Sequence, residues 1–176
     1  MDSPNHFTLF GLTPGYTLDQ NHLASVFRRL QQAVHPDRYA NASDSERRLA
    51  LERAATVNEA YQTLRDPLHR ARYLLSLHGV DSQEQTNTVM DPTFLMEQMD
   101  YREQLAEVRE TPQPLVALAT LIAELRTRQE ALIAQLAECF IQGDGPALSQ
   151  AAELVRKLPF FARLLEEAVD LEDYLS

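Results

Sequence analysis

Through almost all of this 176-residue chain, apolar residues recur at intervals of three and four, and no run sustains the strict alternation of a half-buried strand. Glycine is limited to five residues, so the pattern calls for helices joined by short breaks. A short first helix includes His6-Phe7-Thr8-Leu9-Phe10 and closes at Gly11. A second starts at an Asp19 N-cap and sets Leu23, Val26, Phe27, Leu30 and Val34 on one face. It must stop near Val34 or His35, because Pro36 forces the residue before it into extended geometry. Ser43 or Asp44 caps a third helix, with Glu46 in its first turn and a stripe of Ala54, Val57, Tyr61 and Leu64. Asp66-Pro67 ends that helix, and a fourth follows through Leu68, Ala71, Leu74, Leu75 and Leu77 to His78-Gly79.

Residues 80–91 are polar and read as a linker. Beyond them Pro92 opens a helix to about Glu110. A long helix then repeats Leu115, Leu118, Ile122, Leu125, Leu132, Leu136 and Phe140, and the turn Gly143-Asp144-Gly145-Pro146 leads to a last one from about Ala147. The expected fold is all-α. A helical hairpin with short flanking helices occupies 1–79, and an antiparallel three-helix bundle occupies 92–176.

Charge divides the chain in the same place. Residues 1–78 carry nine Arg against eight Asp and Glu, while residues 79–176 carry seven Lys and Arg against eighteen acids. All five His fall in the first part. So acidic a second half argues against nucleic-acid binding. No stretch approaches the roughly 20 apolar residues that cross a bilayer, and the N-terminus lacks the pattern of a signal peptide. A single cysteine, Cys139, rules out an internal disulfide framework and fits a reducing, cytoplasmic setting. Its apolar neighbours Leu136, Phe140 and Ile141 predict a buried, inert thiol.

Two features point outward. His35-Pro36-Asp37 lies on a stiff corner between the second and third helices, close to Arg28, Arg29 and Arg38. On the helix that starts at Pro92, Phe94, Gln98, Tyr101, Leu105 and Val108 make the core side at about 100° per residue. Met96, Met99, Asp100, Glu103 and Glu107 then fall opposite, with Leu95 at the flank. An apolar patch leading into carboxylates marks a partner site, unless the fourth helix or the linker folds over it.

These residues carry a family resemblance. Phe7-Thr8-Leu9-Phe10-Gly11-Leu12, Phe27-Arg28-Arg29-Leu30 leading to His35-Pro36-Asp37-Arg38, and Val57-Asn58-Glu59-Ala60-Tyr61-Gln62-Thr63-Leu64 with Asp66-Pro67 resemble a J domain, the module of co-chaperones that stimulate DnaK-type ATPases. Tyr73-Leu74-Leu75-Ser76-Leu77-His78-Gly79, Phe94-Leu95-Met96-Glu97-Gln98 and Val155-Arg156-Lys157-Leu158 with Phe160 are similar to the HscB-type J proteins of iron–sulfur cluster assembly. The resemblance implies that His35, Pro36 and Asp37, aided by Arg28, Arg29 and Arg38, engage an HscA-like DnaK-type chaperone. It implies that Leu95, Met96, Met99, Asp100, Glu103, Glu107 and Phe160 hold an IscU-like scaffold protein. It implies no enzyme activity, no catalytic residue, no metal and no cofactor.

The chain departs from the pattern in places. Ala33 and Val34 precede the tripeptide where J domains often have a basic residue and an aromatic, which thins the basic ridge. Pro159 sits inside the last helix, leaving either Phe160 or Phe161 as the outward ring; spacing from Leu158 favours Phe161 as core. Two other functions are compatible with parts of the sequence. One is a J protein serving unfolded clients in general, which would want a broader apolar surface. The other is a metal-dependent helical enzyme with His35 and Asp37 as ligands, for which no third ligand stands at helical spacing.

Overall fold

The computed structural model describes residues 5–35, 43–81 and 91–176. Two compact units emerge, Met1–His78 and Gly79–Ser176. The first contains α1 (His6–Leu9), α2 (Gln20–Val34), α3 (Asp44–Arg65) and α4 (Pro67–Leu77). Asp19 caps α2, its carboxylate accepting from the amides of Asn21 and His22. Ser43 and Glu46 form a reciprocal capping box at the start of α3. Asp66 leaves α3 in extended geometry, and its carboxylate caps α4, whose first residue is Pro67.

α2 and α3 pack as a hairpin in opposite senses. Phe27 stacks on Tyr61 with centroids 3.9 Å apart, and one turn further along α2 the Gln31 amide donates to Asn58 on α3 at 3.4 Å. Phe7, Leu23, Leu64, Ala71 and Leu75 are fully buried between the helices. Phe27, Leu30 and Val34 are only half-buried, so the apolar face of α2 is best covered near its start. Arg70 is an unexpected member of this core, with 5% of its surface exposed. Its guanidinium donates to the Leu64 carbonyl at 2.8 Å and lies over the Tyr16 ring, 5.0 Å from the centroid. Burial lowers its pKa, partly offset by Tyr16.

The second unit comprises α5 (Pro92–Glu107), a 3-10 turn at Val108–Glu110, α6 (Pro114–Gln142) and α7 (Gly145–Leu175). Gly143 closes α6 at φ 66°, a conformation that favours glycine, and Asp144 caps α7 through the Ala147 amide. α7 therefore begins at Gly145, a turn's fraction before the expected Ala147. Within it Pro159 lacks an amide hydrogen, yet the helix runs unbroken past it to Leu175. α6 and α7 form the main antiparallel pair, burying Leu118, Leu125, Leu132 and Leu136 against Ala151, Val155, Phe161 and Ala168. Leu115, assigned by spacing to the same stripe, is 44% exposed. It lies in the first turn of α6, where a side chain has neighbours on one axial side only. Cys139 is buried as expected, and burial raises its thiol pKa.

Candidate functional sites

In the N-terminal unit, the Pro36 constraint shows at His35, which leaves α2 with φ −61° and ψ 130°. Pro36, Asp37 and Arg38 lie outside the described residues. His35, Arg28 and Arg29 are exposed. Arg28 and His35 share a cleft of about 690 Å³ between α2 and α3 with Gln31, Val34, Ala54 and Asn58. The amide groups of that cleft were not singled out from sequence, because glutamine and asparagine on a helix surface carry no periodic signal. Arg47, Arg48, Arg53, His69 and His78 are exposed.

In the C-terminal unit, α5 is anchored by a few specific contacts. Phe94 is buried and meets Phe160 edge-on at 5.8 Å and Phe161 at 6.1 Å. Lys157 of α7 bonds the Asp91 cap at 3.1 Å and lies over the Phe94 ring. That bond, first among its causes, holds the Asp91 carboxyl below its ordinary pKa. On the α6 side, Arg128 bonds Glu97 through two nitrogens at 2.6 and 3.2 Å.

With its core side so held, α5 presents Leu95, Met96 and Met99 at 44, 65 and 63% exposure. Asp100, Glu103 and Glu107 continue along the exposed side. Phe161 is fully buried and Phe160 half-buried, so Phe160 is the ring with a face to offer. Arg102 lies over that ring, 5.8 Å from its centroid. Sequence periodicity thus located the ridge residues on one helix. It did not find the neighbours contributed by α6, since periodicity within a helix says nothing about what stands across from it. A groove between α5 and α6 adjoins the ridge, lined in part by Met96, Asp100, Tyr101, Gln104 and Glu124.

Family models match both units: a DnaJ domain over residues 5–73 and the HSCB C-terminal oligomerisation domain over residues 90–169. A co-chaperone protein HscB homolog of Shewanella denitrificans is 43% identical, over 97% of this chain and 98% of its own length. The chain belongs to the HscB family of co-chaperones. Solved HscB structures agree. Chaperone HscB from Vibrio cholerae is 42% identical and superimposes with a TM-score of 0.88, covering 98% of this chain and 99% of its own. Human co-chaperone HscB is 30% identical, with a TM-score of 0.84 over 95% of this chain and 82% of its own.

As an HscB-family protein it is a co-chaperone, not an enzyme, and its all-α fold matches the expectation from sequence. Among the described residues no three His, Cys, Asp or Glu side chains gather in a way that could hold a metal ion. Among the same residues no helix is long and apolar enough to cross a membrane.

Proposed function

We propose that this HscB-family chain brings an iron–sulfur scaffold protein to an HscA-like, DnaK-type chaperone and stimulates that chaperone's ATPase, in the cytoplasm. In this reading residues 1–79 are the J domain, 80–91 the linker and 92–176 the scaffold-binding bundle. The chaperone is engaged through His35, Pro36 and Asp37, with Arg28, Arg29 and Arg38 steering encounter toward an acidic surface. Stimulation requires that these contacts be more favourable in the chaperone's hydrolysis-competent state than in its resting state. Because Pro36 restricts His35 to extended geometry, little ordering cost at that residue is left to subtract from the contact energy.

The observation that carries the scaffold half is the exposure of Leu95, Met96 and Met99 on a helix whose opposite side is anchored by buried Phe94. Three large apolar side chains kept in water beside carboxylates favour one folded partner with a matching apolar and basic surface. Phe160 extends that patch from α7.

One experiment separates the halves: chaperone ATPase rates and scaffold affinity by calorimetry, for Asp37→Asn and for Leu95, Met96 and Met99 changed together to Ala. Asp37→Asn should abolish stimulation and leave scaffold affinity unchanged. The triple variant should weaken scaffold binding at least about a hundredfold, at roughly 1 kcal/mol per buried apolar anchor. Full stimulation by folded Asp37→Asn would overturn the first half, and undiminished affinity of the triple variant the second.

A further inference from the structure

The groove beside the ridge has features that one helix cannot supply. Its first hollow, about 390 Å³, has Met96 and half-buried Tyr101 as apolar surface, with Asp100 from α5 and Glu124 from α6 at its edges. A second hollow of about 330 Å³ continues between α5 and α6 past Gln104, Glu107 and Glu124. Three of these residues, Met96, Asp100 and Glu107, also belong to the exposed ridge, so the groove and the ridge are one continuous surface.

Charge within the groove is unevenly compensated. Glu97 is paired with Arg128, whereas neither Asp100 nor Glu124 has a cation partner among the described residues. Glu124 also acts on the Tyr101 hydroxyl: burial raises its pKa first, and the charges of Glu97 and then Glu124 raise it further, offset by Arg128. A side chain that satisfies both the apolar surface and the carboxylates needs a long hydrocarbon stem with a cationic tip. Lysine and arginine have that form.

We propose that the ridge is one edge of a larger docking surface, and that the α5–α6 groove receives a lysine- or arginine-bearing segment of the same scaffold protein. The stem lies on Met96 and Tyr101, and the charge sits between Asp100 and Glu124, with Gln104 as a further hydrogen-bond partner. Glu124 is then a specificity residue on a helix outside the ridge. The proposal rests on the scaffold-binding reading of the ridge, and its test distinguishes the two.

The test measures calorimetric affinity for the apo iron–sulfur scaffold protein of the same cell, using the full chain at 50 mM and 500 mM NaCl. Glu124→Gln is compared with Glu138→Gln, which removes the same charge about 21 Å further along α6 at 1.5 Å per residue. Glu124→Gln should weaken binding about three- to tenfold at low salt, with a smaller deficit at high salt. Glu138→Gln should stay within about twofold of the parent, as expected for a charge outside the contact. Equal losses from both variants would reduce the effect to overall charge and overturn the groove. So would wild-type affinity of Glu124→Gln while the triple alanine variant of Leu95, Met96 and Met99 fails to bind. If the triple variant binds normally, the ridge reading itself falls, and the groove with it.

Discussion

Phe160 and Phe161 are chain neighbours with opposite fates, and truncating each to alanine tests the architecture of the C-terminal unit. Phe161 is fully buried, with ring contacts to Phe94, Tyr101 and Phe160 at 6.1, 6.0 and 5.2 Å. Phe161→Ala removes a whole buried ring from a site bounded by three other rings and the Arg128 guanidinium, which cannot all collapse inward. Its expected cost is about 3–5 kcal/mol. Phe160 is half-buried and keeps one face toward Arg102. Losing it forfeits part of a transfer energy and two edge-on ring contacts, roughly 1–2 kcal/mol in all. Because the chain has two units, global unfolding curves would mix their stabilities. Native-state hydrogen exchange of the α6 amides around Leu132 and Leu136 reads the C-terminal unit alone. Protection there should fall by about two to three and a half decades for Phe161→Ala and by one or so for Phe160→Ala, at 1.4 kcal/mol per decade. Scaffold affinity, measured where both variants remain folded, should instead suffer more from Phe160→Ala. If Phe160→Ala proved the more destabilising of the two, or bound scaffold as well as the parent, the assignment of outward and inward rings would be refuted.

Two further perturbations address the N-terminal unit. Arg70→Ala leaves the buried Leu64 carbonyl without its guanidinium donor and strips Tyr16 of its cation, costing about 2–4 kcal/mol. Lysine should restore little, having no planar group to lie on the ring; full recovery in Arg70→Lys of native-state hydrogen-exchange protection at the α3 amides around Ala60 and Leu64 would contradict this. His6 stacks on Tyr73 at 4.2 Å, and burial lowers its pKa, with Glu59 opposing. A depressed histidine pKa means the unfolded chain binds the proton first. The stabilising contribution is therefore present above about pH 6.5 and is lost as pH falls through the folded-state value. His6→Phe should flatten this part of the pH–stability profile between pH 7 and pH 5; an unchanged slope would count against the account.

What the amino-acid order disclosed, and what it hid, follows from the range of each interaction. Caps at Asp19 and at Ser43, one of two candidates there, were legible because the bonding partner lies two or three residues away, whereas Asp66 was legible only as the end of α3. The exposed side of α5 was legible too, since Met96 and Met99 each stand two residues, about half a turn, from Phe94 and Tyr101. Leu115 was misplaced because periodicity carries no information about where along a helix its neighbours begin. Arg70 in the core and the Glu97–Arg128 pair depend on residues brought together from different helices. A helix-bridging role for Arg70 could be entertained from sequence, but arginine is so seldom buried that its local context did not place it in the core. The choice between Phe160 and Phe161 was open because a proline inside a helix removes a backbone bond and can turn the chain there. The helix continues through it, and spacing from Leu158 then selects Phe161 as the inner ring.

The seclusion of Cys139 has a chemical consequence. Its sulfur is the chain's one thiol, and it is shut between α6 and its neighbours with its ionisation suppressed. If the proposed scaffold-binding function holds, the chain would work alongside labile iron and sulfide with no accessible thiolate to capture metal, swap disulfides or be oxidised into an adduct. It can stand next to reactive inorganic cargo as an inert bystander.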